Sequence, residues 1–106
     1  MFVRSQDKTI VLNNEKVIKY MVSDSRGGNF RIIAAEGEGA NYTEIVLGRY
    51  RTEKKCKIVL DMLMDCYTMN LLFERGQDEN PRDLVCDYVA DQPLGVFEMP
   101  QEDEIE

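Results

Sequence analysis

The chain has 106 residues, 13 basic against 20 acidic side chains, a formal net charge of −7, and neither His nor Trp. That length holds one small domain rather than a two-domain enzyme, and 43% hydrophobic with 31% charged residues is a globular composition. Without His the chain lacks the commonest general base, the commonest metal ligand and the usual partner of a nucleophilic Ser or Cys, so no catalysis and no cofactor are expected.

In chain order, Met1 to Asp7 reaches charge at Arg4 and has no apolar signal core. No stretch approaches the ~20 apolar residues of a membrane span, so a cytoplasmic protein with no membrane partner is expected. Phe2–Arg4 reads as a short strand, followed by the polar turn Ser5-Gln6-Asp7-Lys8. Thr9–Leu12, Val17–Val22 and Phe30–Ala35 are β-branched or apolar runs. They are separated by Asn13-Asn14 and by Gly27-Gly28-Asn29, the strongest turn signal of the chain. Tyr42 to Tyr50 alternates, which puts Tyr42, Glu44, Val46, Gly48 and Tyr50 on one face and Thr43, Ile45, Leu47 and Arg49 on the other. Connections this short favour an antiparallel meander of four to five strands.

The period changes at Thr52, a good N-cap followed by the first-turn acid Glu53. A helix is predicted from Thr52 to Phe73, where 13 of the 18 residues from Cys56 onward are apolar. Lys57, Asp61, Asp65 and Thr68 form its one narrow polar stripe, with a Lys57–Asp61 pair expected on it. Such a helix needs more cover than one sheet face provides: either residues 77–106 or a second copy of the chain in a homodimer through residues 52–73. Asn80-Pro81-Arg82-Asp83 predicts the start of a short helix to about Val89, and Val96–Pro100 an extended apolar peptide. Residues 1–100 form the expected domain and 101–106 an acidic, disordered tail. The fold class is α+β, an N-terminal antiparallel sheet followed by one long helix and a short C-terminal helix or extended tail. Its element order is analogous to that of pleckstrin-homology-like small barrels.

Charge divides the chain in two. Residues 1–57 carry 11 basic and 7 acidic side chains, a net of +4; residues 58–106 carry 2 and 13, a net of −11. The densest basic run is Arg49, Arg51, Lys54, Lys55 and Lys57; together with Arg4 it is the candidate anion-binding set, for a nucleotide or nucleic acid. Gly37-Glu38-Gly39 lacks a phosphate-loop pattern and its acids repel phosphate. Cys56, Cys66 and Cys86 form no CxxC and read as free, buried thiols.

Val3-Arg4-Ser5-Gln6-Asp7-Lys8, Leu47-Gly48-Arg49-Tyr50-Arg51-Thr52-Glu53 running into Ile58-Val59-Leu60-Asp61-Met62-Leu63, and Val96-Phe97-Glu98-Met99-Pro100 together resemble the motifs of a family of small proteins of Gram-positive bacteria and their phages. In that pattern Cys56 stands where Ala is usual and Phe97 where Tyr is usual. The resemblance implies a fold and a mobile-element setting, and no reaction. The function read from the sequence is a non-enzymatic accessory protein acting as a protein-interaction module. The alternatives are an anion binder at the basic strand–helix junction and an acidic nucleic-acid mimic in anti-defence.

Overall fold

In the computed structural model, which describes residues 1–24, 27–38, 40–74, 76 and 85–105, the first strand is β1 (Phe2–Arg4). It pairs antiparallel with β2 (Val11–Asn13) and parallel with β6 (Val96–Glu98), in the order β2-β1-β6. Strands of three residues do not make a stable sheet alone. This one is anchored by Val3, Leu12 and Phe97, all buried in the common core. A second sheet contains β3 (Val17–Asp24), β4 (Phe30–Glu38) and β5 (Asn41–Tyr50), antiparallel in chain order.

The α+β class holds, with an antiparallel sheet followed by a long helix. Two parts of the expectation are corrected. Among the described residues the strands divide between two three-stranded sheets instead of one meander, and no barrel closes. The division falls at a 3₁₀ turn, Asn14–Lys16, where Asn13 Oδ1 accepts the Glu15 N–H at 3.0 Å and redirects the chain between β2 and β3. The second neighbour of β1 is therefore the distant β6.

The expected alternation along β5 fails at a bulge. Ile32 pairs with Gly48 but Ile33 pairs with Val46, so Leu47 is an extra residue and the phase of the strand reverses there. Ile45, Leu47 and Tyr50 consequently pack into the core, while Val46 and Arg49 share the opposite face. Gly48 permits this: a Cβ there would lie 3.1 Å from the Tyr50 ring and 3.3 Å from Gln6 Cβ.

Helix α1 (Glu53–Glu74) begins at Thr52, whose Oγ1 accepts the Lys55 N–H at 3.1 Å. Cys56, Val59, Leu63, Cys66 and Met69 bury one side of it against both sheets, and Lys57, Asp61, Asp65 and Thr68 are exposed. The expected Lys57–Asp61 pair is replaced by Lys57 with Glu53, at 3.2 Å. Asn70, a polar residue off the exposed stripe, is buried. It donates to the Cys66 carbonyl at 2.8 Å and accepts the Gly95 N–H at 2.6 Å, tying the helix to the turn before β6.

Part of the expected cover is present. A one-turn helix α2 (Asp87–Ala90) seats the fully buried Val89 in the core; the start placed at Asn80 lies outside the described residues. The acidic tail is corrected. Glu102–Glu104 form a 3₁₀ turn and Ile105 is buried in the core, so order extends through 105; position 106 lies outside the described residues. One apolar residue among the acids is what draws the tail in. Among the described residues, no helix is long and apolar enough to cross a membrane.

Candidate functional site

The three sequence motifs meet in space. Gln6, in the turn after β1, lies along the β5 bulge: its N–H donates to the Leu47 carbonyl at 2.7 Å, its Oε1 accepts the Arg49 N–H at 2.9 Å, and its Nε2 donates to the Arg49 carbonyl at 3.1 Å. From the C-terminal side, Gln101 Nε2 donates to the Gln6 carbonyl at 2.7 Å and the Met99 N–H to the Arg4 carbonyl at 3.0 Å. The buried Tyr50 hydroxyl donates to the Pro100 carbonyl at 2.7 Å. Asp7 closes the first motif on itself. Hydrogen bonds from Ser5 and Thr9 hold its carboxyl at about 2, below the ordinary 3.8.

The six candidate cations divide into two groups. Arg4 Nη1 is 3.0 Å from Glu98 Oε1, Lys55 Nζ is 2.9 Å from Glu102 Oε1, and Lys57 pairs with Glu53. Glu102 also accepts the Arg51 N–H, at 3.2 and 3.4 Å to its two oxygens. Against a partial desolvation that opposes ionisation, the Lys55 ammonium and the Arg51 N–H hold the Glu102 carboxyl below its usual range. The side chains of Arg49, Arg51 and Lys54 are exposed, and among the described residues no carboxylate pairs with them. The acidic C-terminal segment thus neutralises part of the basic junction of its own chain. Each such pair is half-exposed and worth about 0–1 kcal/mol. The buried Tyr50–Pro100 bond and Ile105 contribute more to the docking.

A cleft of about 300 Å³ opens where Ser5 and Lys8 face Tyr88, Gln92, Glu98 and Gln101. Its polar walls are internally bonded: Gln92 Oε1 accepts the Glu98 N–H at 3.0 Å and the Tyr88 hydroxyl donates to the Glu98 carbonyl. Burial pushes the Cys56 and Cys66 thiols up to about 11, which keeps them protonated and unreactive at neutral pH. Cys86, expected to be buried, is exposed.

Two features were not read from the sequence. In the sequence Gln6 reads as one residue of a tight turn, yet in the fold it joins all three motifs. In the sequence Arg31 reads as one residue of the Phe30–Ala35 run, yet the register sets it directly opposite Arg49. The phase of alternation was a usable signal for Arg31 only with the bulge known. Compared with protein-family models, curated proteins and solved structures, the chain matches none.

Proposed function

We propose that the chain is a non-enzymatic interaction module, an accessory protein of the phage or mobile-element type, and that it assembles as a homodimer through a groove beside α1. The observation that supports this reading is an open apolar groove of about 330 Å³ between α1 and the start of β3, lined by Asn14, Tyr20, Leu60, Leu63, Met64 and Tyr67. Among the described residues, α2 and the tail included, nothing fills it, and Met64 on its rim is 67% exposed. Knob and hole lie on the same face. A two-fold pairing therefore seats each Met64 in the groove of the other copy, as a closed isologous interface requires. The unbranched methionine suits that use because it fills irregular space in several rotamers. The mobile-element setting is supported by the motif resemblance alone.

The anion reading at the junction is left with Arg49, Arg51 and Lys54, since Arg4, Lys55 and Lys57 hold carboxylates of the chain. The acidic-mimic reading is weakened likewise, because Glu98 and Glu102 are neutralised by Arg4 and Lys55. Light scattering after size exclusion tests the dimer. A mass of twice 12.3 kDa that Met64→Lys halves, with melting unchanged, supports it. A monomer throughout a dilution series overturns it.

A further inference from the structure

We propose that the face of the β3–β4–β5 sheet turned away from α1 binds a small phosphate monoester of the nucleotide class, with the phosphate held by Arg31 and Arg49. The register sets these two arginines directly opposite each other on adjacent strands. Like charges at opposed positions repel, and a sheet tolerates them at a cost. Arg31 makes the arrangement more unusual. Among the described residues its Nε is buried without a hydrogen-bond partner, and its guanidinium donates from Nη2 to Ser23 Oγ at 3.3 Å. Among the described residues, no carboxylate pairs with either guanidinium.

One ligand chemistry offsets the like-charge opposition through the terminal guanidinium nitrogens, while the buried Arg31 Nε reports on it from behind. A phosphate monoester carries up to two negative charges and three acceptor oxygens, and guanidinium groups bind such oxygens through paired N–H donors. The β5 bulge is what creates the pair. Val46 and Arg49 stand three positions apart and would take opposite faces of a regular strand; the extra Leu47 brings both to the face away from the helix.

The next rows of the same face suit an organic body attached to the phosphate. Met21, Ile33 and Val46 form an apolar row about 7 Å along the strands from the arginine row. Beyond it Lys19 reaches across Ala35 to the Tyr42 ring, 5.9 Å from its centroid, and bounds the floor. A net charge of −7 disfavours a long polyanion, whose binding sums many phosphate contacts, but it leaves room for a single phosphate at a local pair of arginines.

The test is a titration of the full chain with each of the four nucleoside 5′-monophosphates, with inorganic phosphate and with the parent nucleosides. It is followed by calorimetry and by the arginine Nε–Hε resonances in ¹H–¹⁵N spectra. The proposal expects at least one nucleotide to move the Arg31 Nε–Hε signal and to bind more tightly than inorganic phosphate, with the nucleosides silent. Arg49→Gln is expected to weaken that nucleotide roughly tenfold or more, with a melting temperature equal to or above that of the unmodified chain because repulsion is relieved. Met64→Lys, on the other side of the sheet, is expected to leave binding intact, so failure here and failure of the dimer are separable. Absence of any Arg31 shift at millimolar ligand overturns the proposal, as does unchanged affinity in Arg49→Gln. Equal binding of phosphate and all four nucleotides overturns the role given to the apolar row.

Discussion

Replacing Tyr50 with Phe removes one oxygen and tests whether the C-terminal segment is seated as described. The ring is 1% exposed, and its hydroxyl donates to the Pro100 carbonyl at 2.7 Å, across fifty positions of sequence. A net buried hydrogen bond is worth about 0.5–1.5 kcal/mol, and an acceptor left without a donor costs about 1–3 kcal/mol. The Pro100 carbonyl keeps a second, longer donor in Gln6 Nε2 at 3.4 Å, which places the expected loss in the lower part of that range, about 1–2 kcal/mol. For a domain of this size each kcal/mol lowers the melting temperature by about 4–8 °C. Urea unfolding followed by circular dichroism gives the free energy, and the slope of the transition is expected to stay unchanged. Combining Tyr50→Phe with Glu102→Gln is expected to cost less than the two single losses together, because both loosen the same segment. A change of less than about 0.3 kcal/mol in Tyr50→Phe would refute the reasoning, since it means that water already solvates the Pro100 carbonyl.

Gly37 sits at a φ of +143°, and a Cβ there would lie 2.4 Å from the Asn41 carbonyl oxygen, which is backbone. Gly37→Ala is therefore expected to cost about 3 kcal/mol or more in urea unfolding, and a neutral result contradicts the β4–β5 pairing. The Asp7 and Glu102 carboxyls both ionise more readily in the folded chain than their ordinary values. Their contribution to stability is thus complete above the ordinary carboxylate range. It is lost as the pH falls through 3.8 toward about 2 for Asp7, and Asp7→Asn should flatten that part of the pH–stability curve. Thiol titration with an aromatic disulfide should modify Cys86 at once and Cys56 and Cys66 only on unfolding; rapid reaction of all three contradicts their burial.

What the sequence made legible was local. Thr52 and Glu53 announce a helix start because capping is settled within one turn, and α1 begins where they place it. The strand candidates were legible for the same reason, as runs between turn signals. Partner choice was not, because β1 pairs with β6 across more than ninety positions. The face presented by Arg49 was misjudged because a bulge adds one residue and reverses every side chain beyond it, and Gly48 alone does not announce a bulge. The tail was misjudged because four acids outweigh one isoleucine in composition, whereas Ile105 meets a core already assembled by the rest of the chain. Asn70 carries a signal of another kind: a polar residue on the greasy side of a helix marks a buried partner, here the Gly95 N–H.

The charge asymmetry of the sequence leaves the basic junction open to an external anion or to the acidic half of the same chain. In the folded chain Arg4, Lys55 and the Arg51 N–H are already held by Glu98 and Glu102, and an apolar groove lies open beside α1 among the described residues. The mass of the chain in solution tests that account most directly. Light scattering across a dilution series should give twice 12.3 kDa for the unmodified chain and 12.3 kDa for a folded Met64→Lys variant. A single mass of 12.3 kDa for both would contradict it.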